Sequence, residues 1–528
     1  MEQLTNHKHK SDILLSGKNI TITLSQPEQN TEKLFKNKKC NKCKRERTCD
    51  ENEKICHTCF KIKTMLKSSG NKVIDDFIIY TQINNDSRRG KLEFVPYEQF
   101  KNIKFIARGG FSKIYKATWV DGPIKNWDDI KHKDRNIIRD KNYTVVLKEL
   151  NKSDNITSEE LNELKIFYQI YSDDSANNVL NKTFISKYFG ITQDPDTKDI
   201  MIIMRYYSSG DLIHYINKNF YKINWEKKLD RLDDIIRGLE SLHSLGIIHR
   251  DLHSGNILFS NLSTYIGDFG ISKSAIESTD NNEIYGIIPY IAPEIFLERK
   301  YSEASDIYSF GMIMWEFMTG RRPFWDLNHD AYLIIDICDF LRPPIVTNAP
   351  DGYIDLMKEC WHSDPEKRPT AAEINTRIWK MRKIEKENFK NNNPTKIIKS
   401  PDIGPVTVEN NSGAIYKSRS LSLIIQSAIS SRSLSVISSS SSRSQSAISL
   451  KSSRSRSTIF SRSSRSQSTN FEADKRKSKG NLLVVEGSNR NGYFTKEIEF
   501  DINISSNQPS NNGEQYVTKE IDLDINVL

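Results

Sequence analysis

Several short stretches of this 528-residue chain carry side chains whose types and order suit transfer of a phosphoryl group to a hydroxyl. In Val-Val-Leu-Lys an apolar run ends on Lys148. A lysine there can simply snorkel at a sheet edge, or it can hold nucleotide α- and β-phosphates if an acid on a following helix fixes it. The stretch SEELNELKIFYQI supplies that acid. Glu163 is preferred because Leu161, Leu164 and Phe167 flank it at helical spacing, whereas Glu159 and Glu160 suit a solvated first turn. Next, His249-Arg250-Asp251-Leu252-His253-Ser254-Gly255-Asn256 places a carboxylate before an amide. Asp251 can orient an attacking hydroxyl and accept its proton, and Asn256 can ligate Mg²⁺. Asp268-Phe269-Gly270 adds a carboxylate for a cation bridging β- and γ-phosphates. These motifs precede Ala292-Pro293-Glu294 in an order that chance rarely produces.

A further element is weaker. IARGGFSKIYKA carries Gly109 and Gly110 on a turn between two predicted strands, where small residues let backbone N–H groups approach phosphates. Of a G-x-G-x-x-G pattern only Gly109 matches, with Ala107 and Ser112 at the outer positions. An ordinary hairpin would look the same.

The elements that must position these groups are legible as pattern. Short alternating runs (IKFIA, IYKATWV, TVVLKEL, IMIIMRYY) predict strands, and LDRLDDIIRGLESLHSL predicts a helix with Leu229, Leu232, Ile235, Ile236, Leu239 and Leu242 on one face. Strands first and helices second imply an α+β unit of two lobes over 97–382. VIDDFIIY, in a bridging segment over 63–96, fits helix and strand equally. An insertion, DGPIKNWDDIKHKDRNIIRDKNY, reads as a charged surface loop.

Residues 97–382 resemble a eukaryotic protein kinase domain of the tyrosine-kinase-like group, on Lys148, the HRD and DFG motifs, GDLIHYI, SDIYSFGMIMWEF and CWHSDPEKRPT. The wider arrangement, with LEFVPYEQFKNIKFIARGGF and a Cys-pair patch, resembles a lineage-expanded family of fungal kinases. The resemblance implies the two-lobed kinase fold, with a small β-rich N-lobe and a larger helical C-lobe, ATP with Mg²⁺ (Mn²⁺ as an alternative), and protein substrates. It assigns the nucleotide site to Ile106, Ala107, Gly109, Gly110, Ile114, Val146 and Lys148. Met204 becomes the gatekeeper, and Arg205, Tyr206 and Tyr207 lie in a hinge that binds adenine through its backbone. Asp306 would brace the catalytic loop, and Glu294 would pair with Arg368. Two positions depart from the pattern: His253 stands where serine/threonine kinases place a Lys, and Ile287 where they place a Thr. Hydroxyl specificity therefore stays open, with serine/threonine favoured by group. A pseudokinase, binding nucleotide without turnover, is the competing class. Ser272, Ser274, Ser278, Thr279 and Tyr285 are candidate phosphorylation sites beside Arg250, although most suit ordinary loop roles.

Cys40-x-x-Cys43 and Cys56-x-x-Cys59, twelve residues apart, fit four thiolates around one structural Zn²⁺ within a module at 36–62. A flexible, reduced Cys-rich arm is the alternative, and Cys49 and His57 are spare ligands.

The net charge of +9 resides in 416–470, which holds nine Lys/Arg, no acid and 25 serines, so the rest of the chain is close to neutral. That segment is expected to be disordered, either a solubilising tail or an attractor of RNA or acidic partners; nucleic acid is not the favoured partner. Flexible residues 1–35, a linker at 383–415 and a mostly disordered 471–528 complete the chain. The last contains two copies of one motif, YFTKEIEFDINI and YVTKEIDLDINV, starting at Tyr493 and Tyr516. No secretory signal or apolar run of membrane-spanning length is present, which leads us to expect a cytoplasmic protein, with the nucleus as an alternative.

Overall fold

The computed structural model describes residues 38–47, 54–83, 90–108, 112–132, 135–150, 153, 161–172, 181–260, 263–274, 283–406 and 411–443. It divides into two compact units, one running to Thr64 and one from Met65. In the first, β1 (Lys38–Lys39) pairs antiparallel with β2 (Glu46–Arg47), and α1 (His57–Met65) follows. The intervening turn is closed by the Lys44 N–H donating to Cys40 O at 2.9 Å.

The second unit opens on α2 (Lys72–Ile83), so VIDDFIIY is helical, with Ile74 and Ile78 buried one turn apart. Then come β3 (Glu93–Phe94), β4 (Phe100–Arg108), β5 (Ser112–Trp119), β6 (Tyr143–Leu150), α3 (Asn162–Ser172), β7 (Tyr188–Gln193) and β8 (Ile200–Arg205). The six strands form one sheet in the order β3-β7-β8-β6-β5-β4, antiparallel except where β3 meets β7. Alternation along β6 sorts its side chains. Val145 and Leu147 pack with Phe100, Trp119 and Phe189 on one face, while Val146 joins the larger core on the other, the face that Lys148 shares. The 121–143 insertion is not the surface loop its charges suggest. Trp127 and Ile130 are buried, and Arg139 donates to Glu93 Oε1 at 3.1 Å and to Gly122 O at 2.7 Å, tying the insertion to the edge strand β3.

The helical lobe contains α4 (Leu212–Asn219), α5 (Trp225–His243), β9 (Ile247–Ile248), β10 (Ile257–Phe259), β11 (Thr264–Ile266), β12 (Lys273–Ser274) and β13 (Tyr285–Gly286). It continues through α6 (Pro293–Phe296), α7 (Glu303–Thr319), α8 (Ala331–Cys338), α9 (Tyr353–Cys360) and α10 (Ala371–Lys390). All six apolar positions predicted for α5 are buried, and Asn224 caps the helix by accepting from the Lys227 N–H. Helix α7 is buried from Ser305 to Thr319, as a helix apolar on every side must be. It stops at Gly320, whose φ of 76° and 2.7 Å spacing from a would-be Cβ to Phe220 exclude other residues.

One position in α5 is costly. Lys228 is 1% exposed, and its Nζ lies 4.0 Å from the Phe220 ring centroid and 4.9 Å from that of Trp225. Burial pushes its pKa down to about 7. The unfolded chain therefore holds a proton that the folded chain sheds between about pH 7 and the ordinary lysine value. Stability contributed at this site should rise with pH through that window, and the full penalty should apply below it. We expect Lys228→Met to raise the urea-unfolding free energy at pH 6.5 by an amount on the order of a few kcal/mol, less the lost cation–π attraction. The gain should shrink toward pH 10; an unchanged or lowered stability at pH 6.5 would refute it.

The largest difference from expectation lies after α10. The segment from 416 onward, expected to lack a core, begins instead with β14 (Arg419–Ser420) and α11 (Ser422–Arg443). Leu421, Ile425 and Ala428 are buried in the same core as the kinase-like helices. Their i, i+4, i+7 spacing is present in the sequence but is masked by the surrounding serines. Residues 1–37 and the repeat at 493–527 lie outside the described residues. No helix among the described residues is long and apolar enough to cross a membrane.

Candidate active site

Strand β6, helix α3 and the loops after β9 and β11 bring the chemically interesting groups together. Lys148 Nζ lies 2.9 Å from Glu163 Oε2 and 2.9 Å from Asp268 Oδ1. The second oxygen of Glu163 accepts from Tyr188 OH at 2.6 Å, so the carboxylate is held at both ends. Burial acts to lower the Lys148 pKa, but the Asp268 and Glu163 carboxylates outweigh it and raise it above the ordinary lysine value. Burial pushes the Glu163 carboxyl up while Lys148 opposes the push. Lys148 thus bridges two carboxylates, one from helix α3 and one from the loop after β11. Asp268 has φ 60°, a conformation that turns its carboxylate toward Lys148 while Phe269 is buried behind it against His249 and Tyr188.

The catalytic-loop candidates are braced from α7. Asp306 accepts from the His249 N–H at 2.8 Å and the Arg250 N–H at 2.9 Å, and lies 3.0 Å from His243 Nε2. His249 Nε2 in turn lies 3.1 Å from Gly267 O, linking this loop to the one that carries Asp268. Asn256 donates to the main-chain oxygen of Asp251 at 2.9 Å. That bond occupies the amide nitrogen and leaves the amide oxygen for a cation, which suits a ligand role beside Asp268.

One cleft is lined by Ile114, Lys148, Met204, Asn256 and Asp268 among the predicted residues. It also takes in Ser112, read only as an outer position of the glycine turn, and Gly255, Leu258 and Gly267, to which motif reading gave no role. Leu258 could have been found from its place two residues after Asn256 in an apolar strand. Val146 sits opposite Met204 across the β6–β8 pair, and Ala107 opposite Ile114 across β4–β5. Ile106 packs half-buried against the core. The hinge side chains point elsewhere: Arg205 and Tyr207 line a separate cavity with Tyr265, and Tyr206 lies beneath Lys116. Only their backbone is left to serve the cleft. Gly109 and Gly110 lie outside the described residues, as do Ser278 and Thr279.

The two departures from kinase pattern both lie near Tyr290, whose ring centroid is 6.0 Å from that of His253 and whose N–H donates to Ile287 O at 2.9 Å. His253 Nδ1 accepts from the Gly255 N–H at 3.0 Å, which directs Nε2 to within 3.5 Å of Asp251 Oδ2. Ile287 is buried, and Tyr290 nearby has its hydroxyl 2.9 Å from Ser254 Oγ and bonded to Glu316. Imidazole thus takes a place beside the carboxylate that a lysine would otherwise fill. Ser272 is fully buried and donates to His249 O at 3.0 Å, a structural role that argues against its modification in this conformation. Glu294 and Arg368 form the expected pair, with two contacts of 2.7 and 2.6 Å.

In the other unit, the sulfurs of Cys40, Cys43, Cys56 and Cys59 all lie within 4.8 Å of one another. Cys40 and Cys43 flank the hairpin turn, and Cys56 and Cys59 sit at the start of α1. The Cys56 N–H points at Cys40 Sγ from 3.2 Å. Burial acts to raise the Cys40 thiol, but backbone N–H groups of Cys43, Cys56 and Lys42 outweigh it and hold the pKa at about 6. A thiolate cradled by amides is the donor a soft or borderline cation requires. His57 is not in the cluster, and Cys49 lies outside the described residues.

Comparison with known proteins agrees with this geometry. The family described as protein tyrosine and serine/threonine kinase matches residues 100–378, just over half of the chain. Among curated relatives, the serine/threonine/tyrosine-protein kinase HT1 of Arabidopsis thaliana is 34% identical over 36% of this chain and 49% of its own length. Stress-activated protein kinase alpha of Dictyostelium discoideum is 32% identical over 42% of this chain and 36% of its own. The chain thus spans half or less of the length of these relatives. A two-lobed fold, a lysine–glutamate–aspartate triad at the lobe junction and a family match across both lobes lead to one conclusion: the chain belongs to the protein tyrosine and serine/threonine kinase family.

Proposed function

We propose that the chain transfers the γ-phosphate of ATP to protein hydroxyls, serine and threonine in preference to tyrosine, as a member of the tyrosine-kinase-like group. The convergence of Lys148, Glu163 and Asp268 beside Asp251 and Asn256 carries this reading. Lys148, fixed by Glu163, neutralises nucleotide phosphates. Asp251 orients the acceptor hydroxyl and takes its proton, with His253 limiting the carboxylate's rotation. Mg²⁺, held by Asp268 and the Asn256 oxygen, would supply charge neutralisation on the β- and γ-phosphates. Positioning and charge stabilisation dominate this chemistry, and the groups that provide both are present.

The full chain, incubated with ATP, Mg²⁺ and a generic basic protein, should incorporate phosphate well above a Lys148→Met control. Incorporation equal to that control, despite thermal stabilisation by nucleotide, would mean binding without turnover. Phosphoamino-acid analysis should return phosphoserine or phosphothreonine; phosphotyrosine alone would reverse the hydroxyl preference.

The four-cysteine cluster, on this reading, holds structural Zn²⁺. Four sulfurs at a Zn–S length of about 2.3 Å stand about 3.8 Å apart in a tetrahedron, and Cys43 and Cys56 are separated by 3.8 Å. The purified full chain should carry about one equivalent of zinc by elemental analysis, lost in a Cys40→Ser/Cys43→Ser variant. A metal-free chain whose circular dichroism is unchanged by added zinc would remove the claim.

A further inference from the structure

The chain beyond α10 returns to the catalytic lobe and is anchored there on both sides of a short strand. Upstream, Tyr221 OH donates to Ile403 O at 2.8 Å, and the Gly404 N–H donates to Thr319 O at 2.7 Å. The His329 N–H donates to Gly413 O at 2.8 Å, while its Nδ1 lies 2.9 Å from Ile415 O. Tyr416 is buried with its ring against His329 and its hydroxyl donating to Pro323 O at 2.9 Å. Downstream, Leu421, Ile425 and Ala428 bury the first turns of α11, and Arg432 pairs with Asp339 just past α8.

Between these anchors, β14 pairs antiparallel with β13, Arg419 opposite Gly286 and Ser420 opposite Tyr285. The Leu421 N–H extends the ladder to Ile284 O at 2.8 Å. Strand addition of this kind is how extended peptides commonly dock on an exposed backbone edge. Gly286 lets β13 run close beside the candidate base: φ is 143°, and a Cβ there would stand 2.9 Å from Ile291 and 3.4 Å from Asp251 Oδ1. The residue before the strand is Ser418, 2% exposed, and its hydroxyl donates to Asp251 Oδ1 at 3.4 Å. Hydrogen bonds to a catalytic base are often this long before nucleotide closes the site.

We propose that Ser418 is an intramolecular phosphate acceptor, delivered to Asp251 by the strand Arg419–Ser420. This rests on the kinase reading above and names its first substrate. Of the 25 serines in 416–470, only Ser418 is held on the candidate base among the described residues. In the step, Ser418 Oγ bonds to the γ-phosphorus of ATP as the bond from that phosphorus to the β,γ-bridging oxygen breaks. The electron pair leaves on ADP, and the hydroxyl proton passes to Asp251. The product places a charge of about −1.5 to −2 next to a buried carboxylate. Like charges so close in a desolvated site repel strongly, so the phosphorylated strand should leave β13 and open the groove to other substrates.

The test uses the full chain, pretreated with phosphatase, given ATP and Mg²⁺ with a generic basic protein in the same tube, and mapped by mass spectrometry over time. Ser418 should be the first serine of 416–443 to gain phosphate. Its fractional rate should change less than about twofold across a tenfold dilution, because the acceptor is tethered. Phosphorylation of the basic protein should follow after a lag, Ser418→Thr should retain the early modification, and Ser418→Ala should lose it. An added Asp251→Asn chain should stay unmodified at Ser418. Basic protein labelled while Ser418 remains unmodified would overturn this inference and leave the kinase reading intact. Ser418 phosphate on the Asp251→Asn chain, or a rate falling in proportion to dilution, would overturn the intramolecular step. Absence of phosphate from both acceptors would remove the kinase reading and this inference with it.

Discussion

Asp251→Asn should lower kcat for phosphate transfer by about 10²–10⁴ while leaving the fold and nucleotide affinity nearly unchanged. The amide has the size of the carboxylate but cannot accept the hydroxyl proton. The surrounding loop is held by main-chain contacts that the substitution does not touch: Asp306 grips the His249 and Arg250 N–H groups. Asn256 bonds the main-chain oxygen of residue 251, not its side chain, so that ligand should also stay in place. On the proposed reading nucleotide affinity depends on Lys148, Glu163 and Asp268, which are untouched. Single-turnover kinetics with a saturating basic acceptor, paired with a thermal shift on adding ADP and Mg²⁺, measure both quantities. A drop of less than about tenfold would exclude Asp251 as the base. Loss of the thermal shift would show instead that the substitution damages the nucleotide site.

The second large effect concerns stability. Arg368→Ala should destabilise the catalytic lobe by about 3–5 kcal/mol, because it leaves Glu294 charged, buried and unpaired. Arg368 is more than an ion-pair partner. It also donates to Ala304 O at 2.8 Å and to His362 O at 2.7 Å, so one guanidinium joins α6, the start of α7 and the loop after α9. Those carbonyls would lose their donor at the same time. Urea unfolding of wild type and variant, followed by tryptophan fluorescence, should show a lowered midpoint with an unchanged slope. A loss below about 1 kcal/mol would mean that water reaches Glu294 and that the pair is a surface contact.

Much of the catalytic geometry was readable because its residues are constrained by chemistry at short sequence range. Asp251 and Asn256 sit five residues apart on one loop, and Asp268 sits beside Phe269 and Gly270, so their candidate roles follow from spacing. Glu163 was reachable by helical periodicity, since a charge between buried Leu161, Leu164 and Phe167 must turn toward a partner. The Glu294–Arg368 pair and the brace from Asp306 came only by resemblance, because nothing local links residues so far apart. The insertion at 121–143 misled because charge was read as exposure. Arg139 is instead satisfied by Glu93, forty-six residues away, and pairing at that range leaves no local trace.

The chain after 390 makes the same point most sharply. Composition alone predicted disorder for 416–470, because serine and arginine contribute little apolar area against the entropy of ordering them. What overrides that balance at 416–432 is a surface supplied by the rest of the molecule: an open backbone edge at Tyr285–Gly286 and an apolar face on α8. The sequence by itself determined the family and the candidate lysine, base and metal ligands, since those depend on residue type and local spacing. Only the tertiary structure decided which hydroxyl reaches Asp251. That choice depends on the meeting of two segments more than 160 residues apart, and no periodicity or motif encodes such a contact.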